Sequence, residues 1–234
     1  MLSLLISIVL SPLLFIQGKW VRYKTPVLPE PEGSRAGVVG SGTPLKLWVI
    51  GDSAAAGVGA AHQDQALAGQ LVARLAATRR VHWRLEAQTG DTTKDALARL
   101  DRMGPGKFDL VVVALGVNDV TRAVPLPVWL NRQRRLLERL HSEFGAQQII
   151  LSGLPPMGEF PLLPQPLRWV LGRQAARLDQ ALRAEVAALR TVSVTTMVFD
   201  LSTDHMAEDG FHPGPEVYAA WADLVMDQIS APAP

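Results

Sequence analysis

Three observations in the sequence predict a three-layer α/β/α domain built on a parallel sheet. Apolar runs of strand length alternate with helical stretches. The runs are apolar throughout rather than at every second residue, as in strands that helices cover on both faces. Five such strand–helix units fill about 190 residues, a size that suits one three-layer domain. The whole chain has 234 residues, for which two full domains would be cramped.

The elements follow in order. Met1 to Ile16 is almost wholly Leu, Ile, Val, Ser and Phe. As a helix it would be roughly 24 Å long, short of the roughly 30 Å hydrocarbon core of a bilayer, and continuing it to Val21 closes the gap. Residues 1–21 are therefore expected to form a hydrophobic anchor or signal-like segment that associates the protein with a membrane. A cleaved signal peptide and export are the rival reading. Against that rival, no Lys or Arg precedes the apolar run and no Ala-x-Ala site follows it. Lys19, Arg22 and Lys24 come after the run, which leans toward a cytoplasmic catalytic part if the segment spans. Pro12 argues against one straight helix. Residues 22–44 hold Pro26, Pro29, Pro31, Gly33, Gly37, Gly40, Gly42 and Pro44, a composition that defeats helix and strand and predicts a tether. Residues 45–234 are the predicted domain. Its strands are Leu45–Ile50, Val81–Ala87, Phe108–Leu115, Gln148–Leu151 and Val192–Phe199. Its helices are Gln63–Ala77, Thr93–Asp101, Pro127–Phe144, Leu167–Leu189 and Pro215–Ile229.

Composition removes several function classes. A formal net charge of +1, with Arg at helical spacing among Ala, Leu and Glu, gives no electrostatic footprint for nucleic acid. There is no cysteine, which excludes disulfides, thiolate metal sites and cysteine nucleophiles. No pair of His or carboxylates has metal-ligand spacing, so neither metal nor cofactor is expected.

Parallel sheets gather their chemistry at the carboxyl ends of the strands. There the sequence offers Gly51-Asp52-Ser53, Gln88-Thr89-Gly90-Asp91, Gly116-Val117-Asn118-Asp119 and, before the last helix, Asp209-Gly210-Phe211-His212-Pro213. Ser53 has small neighbours, Ala54-Ala55-Ala56-Gly57, that leave its hydroxyl open. A serine hydroxyl needs a base to take its proton. His212 is the candidate base, and Asp209 can orient its ring and stabilise the imidazolium. The Ser53 N–H, the Gly90 N–H and the Asn118 amide are candidate donors to a tetrahedral oxyanion.

These motifs, in this order and at these spacings, resemble the SGNH (GDSL-type) hydrolase superfamily, over Leu45 to the C-terminal helix. The resemblance implies a flavodoxin-like sheet of five parallel strands. It also implies Ser53 as nucleophile, Gly90 and Asn118 in the oxyanion hole, His212 as base and Asp209 as its partner. Families of this kind hydrolyse carboxylic esters, thioesters, lysophospholipids or acetyl groups on sugars. Two departures stand out. Ala54 occupies the place of the usual leucine, and the Asn commonly found before the oxyanion glycine is absent from Glu86-Ala87-Gln88-Thr89. The second departure puts the support of the Gly90 loop in question.

Other readings compete at single residues. A Ser in a strand–helix turn is by default a cap. Asp52 and Asp91 stand at expected helix N-caps, and Asp119 is a further candidate. His205, next to Asp204, is the rival base, while His62, His82 and His141 read as surface or structural. Gly57-Val58-Gly59, with Glu86 as a mimic of a ribose-binding acid, supports an alternative of another class, a nucleotide-binding α/β domain without hydrolase activity. That fingerprint lacks its third glycine, since Ala61-His62 stand there. The expected partner is a small-molecule or lipid ester. Gly153–Trp169, with five prolines among Leu, Met, Phe and Trp, is expected to wall an acyl site through Met157 and Phe160.

Overall fold

The continuous apolar runs form the parallel strands of one sheet. The computed structural model describes residues 10–199 and 204–230. Its strands are β1 (Ala36–Val39), β2 (Thr43–Gly51), β3 (Arg79–Ala87), β4 (Leu110–Ala114), β5 (Gln148–Ser152) and β6 (Val192–Thr195). Their order across the sheet is β1-β3-β2-β4-β5-β6. From β3 to β6 every pairing is parallel, and β2 lies between β3 and β4, where the order reverses. This is the flavodoxin-like arrangement, with its switch point at the end of β2.

The sheet has six strands where five were expected. The additional strand, β1, pairs antiparallel with β3, Ala36 opposite Arg84 and Val39 opposite Val81. It lies inside the stretch read as a tether, and its four residues, Ala-Gly-Val-Val, are all exposed; the run is too short and too closely flanked by glycines to stand out as a strand in sequence. What makes it a strand is an open edge of β3 with free backbone groups.

Helices cover both faces. Between the strands run α1 (Ser11–Lys24), α2 (Ser53–Ala56), α3 (Leu67–Ala76), α4 (Thr93–Leu100), α5 (Val117–Thr121), α6 (Leu126–Ser142), α7 (Leu167–Val186) and α8 (Pro215–Ser230). Side chains alternate along β2, which separates two cores. Leu47 and Val49 pack with Leu67 and Leu71 of α3 and with Tyr218 and Trp221 of α8. Trp48 and Ile50 pack with Leu97 of α4, Leu136 of α6 and Leu178 of α7. Each fully buried large side chain contributes about 1.5–3 kcal/mol through burial. The alternation therefore fixes the strand's facing firmly, because a one-residue slip would exchange the two sets.

Several ends differ from expectation for local reasons. The segment expected to open α3 at Gln63 is instead a pair of turns. The buried Gln63 side chain donates to Ala56 O at 2.7 Å, and Gly69, whose Cβ would lie 2.1 Å from Gln63 O, lets the chain double back. α1 carries part of the apolar N-terminal stretch and ends at Lys24, inside the expected tether. It packs Leu14 and Val21 on the domain. Gln17 donates to Gln165 O at 2.7 Å and accepts from the Leu167 N–H at 3.1 Å. Residues 1–9 of the expected anchor lie outside the described residues. Among the described residues no helix is long and apolar enough to cross a membrane.

Candidate active site

The site is built from the turns at the carboxyl ends of β2, β3 and β4. β2 ends at Gly51, where a Cβ would lie 2.4 Å from Ala114 O and 2.3 Å from Ala55 Cβ, so glycine is required for the chain to turn into α2 against β4. Asp52 caps that helix, as expected, by accepting from the Ala54 N–H at 3.1 Å. Ser53 is the first helical residue, so its N–H has no intrahelical acceptor. Burial pushes the Asp52 carboxyl up to about 7, against the Ala54 hydrogen bond and the nearby His212, which act to lower it.

His212 approaches from the loop before α8. Its Nε2 is 2.8 Å from Ser53 Oγ and its Nδ1 is 2.5 Å from Asp209 Oδ2. The other Asp209 oxygen accepts from the Phe211 and His212 N–H groups, both at 2.9 Å. Burial works to raise the Asp209 carboxyl. The hydrogen bonds from His212 and Phe211 prevail and hold it below the usual carboxylate range. An ionised Asp209 in this position fixes the ring and stabilises an imidazolium. The rival base, His205, lies with Nε2 3.3 Å from Glu216, while its carbonyl accepts from the Gly214 N–H at the base of the loop.

The Gly57–Gly59 stretch braces this loop. A Cβ on Gly59, at φ +101°, would lie 2.3 Å from Pro213 O, next to His212. A Cβ on Gly57 would lie 2.5 Å from Ala66 Cβ. Tyr218 donates to Val58 O at 2.7 Å and ties α8 to the same stretch. These glycines admit neighbouring chain rather than a pyrophosphate, which removes the basis of the nucleotide-binding reading. Glu86 is engaged by Arg84.

The oxyanion candidates are placed unequally. Gly90 has φ +87°, and a Cβ there would meet nothing nearer than Arg122 Nη2 at 3.9 Å. Its N–H finds no acceptor among the described residues, and its carbonyl accepts from Arg122 at 2.7 Å. Asn118, near the start of α5, donates to Asp91 O at 3.0 Å and to Asp52 Oδ2 at 3.3 Å, so its amide also orders the two neighbouring turns. Asp91 is not the cap of α4. Thr92 holds that place in a reciprocal box with Asp95, and Asp91 pairs instead with Arg99. Asp119, a candidate cap for its own helix, is fully buried and supports the start of α4, accepting from the Thr93 N–H and hydroxyl at 2.9 Å each. Burial raises its carboxyl despite these bonds.

Ser53, Asn118 and His212 line a cavity of about 70 Å3 with walls that include Leu154, Phe160, Phe211 and Val217. Phe160 packs edge-on against Phe211 at 5.2 Å, and Phe211 against His212 at 5.4 Å. Met157, expected beside Phe160, is fully buried in the core and is not a wall of this cavity. It sits on a short 3-10 turn, Met157–Glu159, that directs it inward. Sequence reasoning missed Ser152 at the cavity floor, whose hydroxyl accepts from Trp221 Nε1 at 3.0 Å. It also missed Glu30, Arg35 and Arg122 around the Gly90 turn. Their only signal was charge in segments with no visible partner. His141 is structural, its ring bonded to Ala146 O and the Thr191 hydroxyl.

A sheet of this strand order, with a serine, a histidine and an aspartate brought together at one edge, has the architecture of the SGNH hydrolases. Residues 49–220 match the model of the GDSL-like lipase/acylhydrolase family, and the chain belongs to that family. It is 30% identical over 193 residues to the GDSL-like esterase Rv1075c of Mycobacterium tuberculosis. That match takes in 77% of this chain and spans 60% of that protein's length. Two solved structures share the fold. A lipase/acylhydrolase from Enterococcus faecalis is 22% identical with a TM-score of 0.55, over 79% of this chain and 95% of that one. The acetylxylan esterase Axe2 from Geobacillus stearothermophilus is 21% identical with a TM-score of 0.58, over 82% of this chain and 96% of that one.

Proposed function

We propose that this protein is a serine-dependent carboxylic ester hydrolase acting on esters of short acyl chains. The observation that carries the reading is the unbroken relay from Asp209 through His212 to Ser53, at 2.5 and 2.8 Å, beside an apolar cavity. In the proposed reaction His212 removes the Ser53 proton as Oγ attacks the ester carbonyl. The N–H groups of Ser53 and Gly90 receive the tetrahedral oxyanion. The Asn118 amide joins them by giving up its longer contact, the one to Asp52. His212 then passes its proton to the departing alcohol oxygen. In the second half it takes a proton from water, the resulting hydroxyl attacks the acyl-enzyme, and the acid leaves with Ser53 reprotonated. Each oxyanion donor is worth about 10²–10³ in rate.

The acyl preference follows from volume. A cavity of about 150 Å3 holds a benzene ring. The space of about 70 Å3 beside Ser53 is less than half of that and suits an acyl group of a few carbons. The test has two parts. A fluorophosphonate probe is expected to label wild type and not the Ser53→Ala variant, whose ester turnover falls by about 10⁴-fold or more. Across p-nitrophenyl esters, kcat/KM is expected to peak at short chains and fall at decanoate, with Phe160→Ala moving the peak toward longer chains. Near-normal turnover by Ser53→Ala would sink the assignment.

We also propose that the protein associates with a membrane surface through α1. The face of this helix turned away from the domain carries Phe15, Ile16, Lys19, Trp20 and Tyr23, and the large apolar side chains among them are exposed. Trp and Tyr are enriched where proteins meet the membrane–water interface, and a lysine beside them can keep its charge in water while its stem lies along apolar surface.

A further inference from the structure

We infer that the segment before the sheet positions the oxyanion turn, with Glu30 as the positioning residue; this rests on the reading of Gly90 as an oxyanion donor. The turn from Gln88 to Asp91 has little packing of its own. A Cβ on Gly90 would meet only Arg122 Nη2, at 3.9 Å, and its carbonyl accepts from Arg122 at 2.7 Å. Polar contacts must therefore hold it. On its inner side the Gln88 N–H donates to Gly51 O at 3.3 Å, and Asn118 donates to Asp91 O at 3.0 Å. On its outer side one Glu30 oxygen accepts from both the Thr89 N–H at 3.2 Å and the Thr89 hydroxyl at 3.0 Å.

Glu30 is itself held in place. Its second oxygen accepts from Arg35 at 2.7 Å, and Arg35 also donates to Ala87 O, the last residue of β3 before the turn. Pro29 and Pro31 flank it and restrict its backbone. On the far side the Glu32 N–H donates to Ala61 O at 3.1 Å, and the Gln63 N–H donates to Glu32 O at 2.8 Å. Beyond Arg35 the chain enters β1, paired along β3. The segment is thus fastened on both sides of Glu30, and its carboxylate grips the peptide next to Gly90. An exposed ion pair alone is worth about 0–1 kcal/mol of stability, so a purely structural Glu30 would leave the chemical step unaffected. An oxyanion donor displaced by about 1 Å can cost about 10²-fold in rate.

The experiment uses the full chain. Ser53→Ala is measured first, and its inactivity establishes the serine-nucleophile mechanism that the oxyanion reading of Gly90 presupposes; boronate affinity then reads the oxyanion site itself. Glu30→Ala is then expected to lower kcat by about 10–100-fold, within what loss of one oxyanion donor costs. Its KM and melting temperature should stay close to wild type. Affinity for an alkyl boronic acid, which forms a tetrahedral adduct on the serine, should fall by a similar factor. Thr89→Val should fall between wild type and Glu30→Ala, and Thr89→Ser should restore wild-type kcat. If Glu30→Ala fails to fold, the Thr89 pair decides. With Ser53→Ala inactive, a wild-type kcat in Glu30→Ala, or in Thr89→Val, overturns the inference. So does a fall in kcat with boronate affinity unchanged. An active Ser53→Ala removes the underlying reading and the inference with it.

Discussion

Asp52 and Asp209 flank the same serine–histidine pair and are driven in opposite directions. Asp209 is buried but accepts three hydrogen bonds, and it stays ionised. Asp52 is buried with the Ala54 N–H and a long contact from Asn118, too little to offset burial, and rises to about 7. An unfolded aspartate ionises near 3.9, so between about pH 4 and 7 the folded state holds a proton that the unfolded state has lost. Stability due to Asp52 therefore declines as pH rises through that window, by an amount on the order of 4 kcal/mol. Asp52→Asn is expected to flatten this decline. Urea unfolding of both proteins from pH 4.5 to 8 checks it, and parallel curves would refute it. Asp209 has the opposite sign: its contribution is present above its unfolded value and is lost as pH falls through the depressed folded one. Ser53, Asp209 and His212 were legible in sequence because short motifs carry them at strand ends. The distinction between Asp91 and Thr92 as cap was not, since both are good cap residues and the capping box is decided by which side chain Asp95 reaches. Met157 was misplaced because a proline-rich segment has no periodicity from which to read side-chain direction.

At the scale of elements, the strands that sequence reveals are those with a buried face, and β1 shows the converse. Its Ala-Gly-Val-Val is exposed throughout and becomes a strand only because β3 offers an edge. Glycines gave the opposite difficulty, since Gly57-Val58-Gly59 suggested part of a dinucleotide-binding fingerprint and is a close-packing device. Its role makes a prediction. Gly59→Ala sets a Cβ 2.3 Å from Pro213 O at a backbone φ of +101°, and the loop carrying His212 must move. Destabilisation of about 1–3 kcal/mol is expected from the strained backbone and the clash. A fall in kcat of about 10²-fold is expected from the shifted base. Gly104→Ala is the control, because nothing lies within 4 Å of a Cβ there. Thermal unfolding and p-nitrophenyl ester hydrolysis of the two variants check this, and equal behaviour would count against the bracing role.

At the scale of the whole molecule, the N-terminal region reaches the site by two routes. Residues 30–35 hold the Gly90 turn from outside, Glu30 on Thr89 and Arg35 on Ala87 O. α1 docks through Gln17 on Gln165 and Leu167, at the end of the segment that supplies Phe160 to the cavity wall. A membrane surface meeting the outer face of α1 would therefore lie beside the structure that shapes the acyl site. Charge favours such a surface when it is anionic. Residues 1–29 contain Lys19, Arg22 and Lys24 and no acidic residue, and each cation near an anionic leaflet is worth about 1 kcal/mol. The full chain is expected to cosediment with vesicles of phosphatidylglycerol and phosphatidylcholine, more weakly with phosphatidylcholine alone, and less as salt is raised. Replacing Phe15, Trp20 and Tyr23 together by Ser should release it from the vesicles while leaving hydrolysis of a soluble p-nitrophenyl butyrate unchanged, since none of the three lines the cavity. Vesicle binding equal to wild type by that triple variant would show that this face of α1 is not the contact.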